Sequence, residues 1–290
     1  MALLSLFSLT GNFENLNWKN IFSNFKVSDQ SEPTDEDFNM SVHFMNVGKA
    51  DCAYIKCKNH SILIDAADKE PYGTVTEYLK KQGVSKLDLV VISHPHRDHI
   101  GQMAEVIKEF KIDKFLEPNI PDKFLPTTMT YEKMLKEISK RNINSRLVKG
   151  GESFNLGDMH IEIFGPLSPS ENLNNNSVVM KITYKNVSFL FMGDAEKIEE
   201  AEILSSGANV KSTVLKVGHH GSRTSSSQNF LEKVQPQYSI ISVGPDKSNL
   251  PKEEIIKRIN KICKNIYRTD LNGNIIVSTN GKDIKVITQK

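Results

Sequence analysis

Residues 93–102 read SHPHRDHIGQ, and three of the eight histidines in the chain, with one aspartate, fall within six of those positions. The run follows the apolar segment LDLVVI (87–92) directly. A continuous apolar run of that length predicts a strand buried on both faces. Pro95 has no N–H to donate and ends the ladder there. His94 and His96 are two residues apart, so in extended chain they face the same way. Asp98 and His99 then fall at the entry of the next helix, where an aspartate is a natural cap. The segment can therefore offer one pair of ligands to one metal ion and a second pair to another. Imidazole and carboxylate without thiolate suit Zn²⁺, Mn²⁺ or Fe²⁺. A solvated loop with incidental histidines would not crowd four ligand-type groups in this way.

Two further strand ends carry chemistry of the same kind. In FLFMGDAE (189–196) a strand breaks at Gly193 and presents Asp194. The carboxyl ends of strands are where α/β folds gather their ligand-binding residues. In VLKVGHHGSRTSSS (214–227) another strand breaks at glycine and presents His219 and His220. Gly221, Ser222, Thr224 and Ser225 supply amides and hydroxyls suited to an oxyanion or a phosphate, and Arg223 adds charge. Five of the eight histidines thus lie in two strand-end loops, whereas His43, His60 and His160 lie in or beside strands and read as packing residues.

The rest of the chain fits an α/β domain. SVHFMNV, CAYIKC and SILIDA are short strand-like runs, and YGTVTEYLKKQG is helical in spacing and stops at Gly83. Helices are also expected from Met103 onward and over YEKMLKEISKR, AEKIEEAEIL and KEEIIKRINKIC. DLNGNIIVST and NGKDIKVIT each hold an Asn-Gly pair beside alternating apolar residues, the signal for a hairpin. Residues 28–39, SDQSEPTDEDFN, read as a linker. The expected organisation is an N-terminal extension and linker over 1–39 and one α/β domain, carrying the clustered ligand-type residues, over 40–290.

Composition excludes several classes. At 290 residues and a formal charge of +2, the chain is large enough for a sizeable core and carries no basic excess that would single out nucleic acid. Three cysteines, odd in number and spaced without pattern, argue against a disulfide framework. No apolar run is long enough for a membrane span. The start lacks the basic region and small-residue cleavage site of a secretory signal. The expected location is the cytoplasm, with secretion open to a chain whose natural N-terminus has been trimmed.

With these residues in view, the sequence resembles the metallo-β-lactamase superfamily. HPHRDH fits its HxHxDH signature, MGD resembles its bridging-aspartate strand and GHH its last ligand histidine. VHFMNVGKADCAYIKC, ILIDAAD, LKVGHHGSRTSS, ISVG and RTDLNGNI are similar to the hydrolase domain of the ComEC-type DNA-uptake proteins and to related free-standing hydrolases and choline-phosphate esterases.

The resemblance implies a four-layer αβ/βα sandwich with two divalent metal ions, Zn²⁺ or Mn²⁺, in a cleft between two sheets. It implies that His94 and His96 hold one ion, that Asp98 and His99 hold the second, and that Asp194 bridges them. One of His219 and His220 would complete the second site while its neighbour meets substrate. Asp98, Asp194 and His220 would be catalytic, and Asn175, Ser222 and Ser225 would contact substrate. Asp65, ending SILID, would orient a ligand histidine. The sequence departs from the family in one respect. Many members carry another histidine shortly before the bridging aspartate, where this chain reads NLNNNSVV with Asn174, Asn175 and Asn176. The first site would then be poor in protein ligands and open to water or a substrate oxygen.

The implied function is metal-dependent hydrolysis of a phosphodiester or phosphate ester, with DNA as one candidate substrate. The alternatives are a lactone or carboxyl-ester hydrolase of the same fold and a non-catalytic metal-binding regulatory module.

Overall fold

The structure, a computed structural model, describes residues 38–69, 74–245 and 247–290. The extension and almost all of the linker expected over 1–39 lie outside the described residues.

The first half of the chain supplies β1 (Met40–Phe44), β2 (Ala53–Cys57), β3 (His60–Ile64), β4 (Lys86–Leu87), β5 (Leu89–Val91), β6 (Lys111–Ile112), β7 (Phe115–Pro118) and β8 (Ser145–Val148). The second half supplies β9 (Ser153–Leu156), β10 (Met159–Ile163), β11 (Met180–Tyr184), β12 (Val187–Phe191), β13 (Val214–Lys216), β14 (Tyr238–Ile241), β15 (Asn265–Arg268), β16 (Ile275–Thr279) and β17 (Ile284–Thr288). The helices are α1 (Val75–Lys81), α2 (Arg97–Ile100), α3 (Met103–Glu109), α4 (Met129–Lys140), α5 (Lys197–Ser205), α6 (Gln228–Val234), α7 (Glu253–Ile262) and α8 (Thr269–Asn272).

One sheet runs β17-β16-β1-β2-β3-β5-β7-β8 and the other β15-β14-β13-β12-β11-β10-β9. Each is antiparallel over one half and parallel over the other: β3, β5, β7 and β8 are parallel in the first, and β12 to β15 in the second. The parallel halves explain where the site lies. All their strands point the same way within a sheet, so their carboxyl ends collect at one rim.

Side-chain alternation builds three apolar layers. Along β12, Val187, Phe189 and Phe191 enter a core between the two sheets, and Leu190 enters a different one. Val42 and Phe44 of β1 and Leu89 and Val91 of β5 meet them from the opposite sheet. The outer face of the first sheet packs on α1, α3 and α4 through Leu79, Val106, Ile107 and Met134. The outer face of the second packs on α5, α6 and α7 through Ile203, Phe230 and Ile259. Helices, sheet, sheet and helices make the four-layer αβ/βα sandwich that the resemblance implies.

Three local expectations are corrected. The segment KLDLVVIS is not one strand. Asp88 breaks it, because its carboxylate accepts the Ser61 N–H at 2.8 Å and pairs with Lys86 at 2.7 Å. Only one Asn-Gly pair makes a hairpin: Asn280-Gly281 joins β16 to β17. Asn272-Gly273 instead ends α8 as the chain crosses from one sheet to the other. There the Asn272 side chain accepts the Arg268 N–H and closes the turn. Third, the residue at the N-cap of α2 is His96, and Asp98 lies in the first helical turn.

Candidate metal centre

The loops after β5, β12 and β13 converge at the carboxyl rim, and Asp194 sits at their meeting point. Its Oδ1 lies 3.4 Å from Nε2 of His99 and 3.6 Å from Nε2 of His220. Its Oδ2 lies 3.9 Å from Nε2 of His94 and 3.7 Å from Nε2 of His219. His94 in turn has its Nε2 2.9 Å from Nδ1 of His96, and His220 has its Nε2 3.7 Å from Asp98. Asp98, His99, Asp194 and His220 form the tight set, with one donor atom of each within 4.8 Å of the others. The groups around Oδ2 are spread more widely.

Close approach of the loops depends on Gly193. It has a φ of +52°, and a Cβ there would come within 2.7 Å of Ser93 Cβ. Ser177 then ties the three segments together: its hydroxyl accepts the Asp194 N–H at 3.1 Å, while Val178 N–H donates to Ser93 O at 2.8 Å. His219 and His220 both have left-handed backbones, with φ of +49° and +50°. Each such residue costs on the order of 1–2 kcal/mol when it is not glycine. That strain is held by the His219 N–H on Gly193 O and by the Glu200 carboxylate on the Ser226 and Ser227 N–H groups, at 2.5 and 2.9 Å.

Deeper groups set the tautomers. Asp65 stands at the end of β3 and accepts from Ser93 through both oxygens; it also meets Nδ1 of His99 at 2.9 Å. Nδ1 of His220 donates to the carbonyl of Ser242 at 2.9 Å. Both histidines therefore turn Nε2 toward Asp194. Asp51, in the loop after β1, lies 3.5 Å from His220 Nδ1 and forms a buried ion pair with Lys216 at 2.8 Å.

Electrostatics follow from burial and from the carboxylates. Burial, aided by the neighbouring His99 charge, lowers the His94 pKa well below the ordinary value. Burial also lowers His96. For His99, burial opposes the charge, but Asp194 and Asp65 outweigh it and raise the pKa well above the usual range. His220 is raised in the same way by Asp194 and Asp51. Burial works against the charge of Asp194 as well, yet His99 and His220 hold its pKa well below the carboxylate range.

The residues suit a divalent cation. Nε2 of His99, Nε2 of His220 and Oδ1 of Asp194 are buried, point at one another and have no hydrogen-bond partner. Buried polar atoms are almost always satisfied, so three orphans at one spot call for an ion. All are nitrogen or oxygen donors of the kind Zn²⁺ and Mn²⁺ accept.

The structure brings together His94, His96, Asp98, His99, Asp194, His219 and His220. It also separates the two adjacent histidines, which sequence could not do: His220 is fully buried beside Oδ1, and His219 is partly exposed beside Oδ2. Two expected substrate contacts are not presented to the cleft. Asn175 is buried, with its side-chain oxygen accepting the Glu196 N–H. Ser225 is buried beneath the loop, donating to the Gly218 carbonyl at 2.8 Å. Ser222 is partly exposed in the loop after β13, beside Thr224, and the Asn174 side chain donates to Glu196. Sequence reasoning passed over Asp51, Lys216 and Glu196. A lysine two residues before GHH, on an otherwise apolar strand, was a usable signal for Lys216.

Residues 45–244 match the Metallo-beta-lactamase superfamily, and the chain belongs to that superfamily. Its curated relatives include proteins of the competence, or ComEC, type. ComE operon protein 3 of Bacillus subtilis (strain 168) is 30% identical over 200 residues, which is 68% of this chain and 25% of that protein. Competence protein ComA of Neisseria gonorrhoeae is 28% identical over 242 residues, 80% of this chain and 31% of that protein. The chain thus spans only between a quarter and a third of the length of these relatives. Among solved structures, the metallo-beta-lactamase fold protein YhfI from Bacillus subtilis is similar with a TM-score of 0.57, over 83% of this chain and 99% of that one, at 10% identity. Likeness at that identity is one of fold. Among the described residues, no helix is long and apolar enough to cross a membrane.

Proposed function

We propose that the chain is a phosphodiesterase of the superfamily, acting with two divalent cations that Asp194 bridges. The observation that carries this reading is the division of labour at Asp194: its two carboxylate oxygens face separate sets of histidines. A bridging anion is what keeps two neighbouring cations from repelling each other apart. Asp98, His99 and His220 would hold one cation on the Oδ1 side, and His94, His96 and His219 the other on the Oδ2 side. When bound, such cations supply Lewis acidity and make water a nucleophile near neutral pH.

The chain's own residues do the rest. Asp65 and Ser242 hold His99 and His220 with Nε2 inward, so neither ring must reorient to bind. Burial keeps His94 neutral and available as a donor. Ser222 and Thr224 at the rim offer hydroxyls to phosphate oxygens. The asparagine turn adds no histidine to the Oδ2 side, whose groups are more widely spread, and this leaves room for an oxygen of the substrate. Water attack at phosphorus would break one P–O ester bond and yield a phosphomonoester and an alcohol. DNA is a candidate on the strength of the competence-type relatives, and a small phosphate ester is the other.

The test is hydrolysis of a bis-aryl phosphodiester and of an aryl lactone by wild type, Asp194→Ala and His96→Ala, each with Mn²⁺ or Zn²⁺ supplied and then removed by chelation. Cation-dependent turnover of the diester, lost in both variants, is the expected result. Turnover of the lactone alone would establish the carboxyl-ester reading, and bound metal with no turnover the regulatory one.

A further inference from the structure

Glu196 comes two residues after Asp194 and occupies the N-cap position of α5, yet its side chain makes no capping hydrogen bond. Its oxygens turn toward the site. Oε2 accepts from the Asn172 side-chain amide at 3.0 Å and Oε1 from that of Asn174 at 3.3 Å. The Glu196 N–H donates to the side-chain oxygen of Asn175 at 3.1 Å. Oε1 also lies 3.3 Å from Nδ1 of His219, which it shares with Thr224 Oγ1 at 3.0 Å. One residue thus engages the side chains of Asn172, Asn174 and Asn175 in the asparagine turn, together with the GHHG loop. Of the two histidines nearest Asp194 Oδ2, His94 at 3.9 Å and His219 at 3.7 Å, this carboxylate reaches His219.

We propose that Glu196 is a positioning residue for the Oδ2 half of the centre, fixing His219 and bracing the asparagine turn. The inference rests on the two-cation reading above. The physical reason is freedom of rotation. Glu196 and Thr224 hold the outer nitrogen of His219, a partly exposed ring on a left-handed backbone. Removing the carboxylate leaves Thr224 to fix that ring and takes two acceptors from the asparagine turn. The Oδ1 half, braced by Asp65 and Ser242, does not depend on it.

The experiment is calorimetric titration of the metal-stripped full chain with Mn²⁺, in wild type, Glu196→Ala and Glu196→Gln. Wild type should bind two equivalents. Glu196→Ala should keep one step at its wild-type affinity and weaken the other by about tenfold or more. Glu196→Gln, which keeps the shape and one acceptor oxygen, should fall between the two. Two steps of unchanged affinity in Glu196→Ala overturn the proposal, as does equal weakening of both. Should Glu196→Ala fail to fold, Glu196→Gln decides: one step weakened at an unchanged thermal midpoint supports the proposal, and neither weakened overturns it. A wild-type chain that takes up no Mn²⁺ overturns the two-cation reading and this one with it.

Discussion

His43 provides a test of the packing behind the first sheet. It lies on β1, 6% exposed, with its Nε2 2.9 Å from Ser41 Oγ and its Nδ1 2.8 Å from the Tyr78 hydroxyl of α1. Burial, reinforced by the charge of Lys56, lowers its pKa from 6.5 to about 4. In the unfolded chain the ring takes a proton near pH 6.5; in the fold it does so only near pH 4. Between those values the unfolded state binds one proton more, so stability falls as pH falls, and the loss levels off below pH 4. Two and a half pKa units at 1.36 kcal/mol each make the full loss about 3 kcal/mol, of which about 2 kcal/mol has accrued by pH 5. Glutamine at this position keeps a polar group and cannot titrate. In urea denaturation followed by circular dichroism, His43→Gln should be the less stable chain at pH 7.5 by about 1–2 kcal/mol, for its imperfect hydrogen bonds. At pH 5 that gap should close or reverse, because only wild type carries the proton penalty. A gap of the same size at both pH values would refute the reasoning and show that the ring is not held neutral by the fold.

Two more perturbations test the braces around the site. Lys216→Met should cost about 3–5 kcal/mol, because it strands the buried Asp51 carboxylate, and adding Asp51→Asn should recover much of the loss; additive losses in denaturation would mean the two are not coupled. Gly101→Ala should lower the thermal midpoint, since its Cβ would fall 2.6 Å from the Asp68 backbone and 2.7 Å from Ala67 O. The segment it strikes is pinned by the Ala66 and Ala67 N–H groups, so relief is hard and a cost of about 1–3 kcal/mol is expected. An unchanged midpoint would show that the Ala66–Asp68 turn yields.

Much of the fold was legible in the sequence because the informative strands are buried and the ligands are clustered. β12 and β13 read as largely apolar runs, interrupted only by Ser188 and Lys216, and each is followed by a glycine that releases a loop. The helices over 129–140, 197–205 and 253–262 lie where their apolar spacing places them. Strands β8 and β9 went unread because they are short and largely exposed: SRLV does not alternate, and SFNL alternates over only four residues. The Asn272-Gly273 pair misled because the chain changes sheet beyond it, and the local turn chemistry is the same for either course.

At the site, the residue types were plain and their facing was not. Which of His219 and His220 turns inward is decided by two successive left-handed residues and by the Ser242 carbonyl, 22 positions away. Ser225 looked like a ligand for phosphate because hydroxyl-rich loops often are, and it proved to be a brace. Glu196 was passed over: it occupies the N-cap position of α5, but its oxygens turn to the asparagine turn and to His219.

The central claim is that Asp194 stands between two cations. Anomalous diffraction from crystals of the chain grown with Mn²⁺ tests it most directly. Two peaks should flank the Asp194 carboxylate, one among Asp98, His99 and His220 and one beside His94, His96 and His219, both absent in crystals of Asp194→Ala. A single peak remote from Asp194, or none in Mn²⁺-saturated crystals, would contradict it.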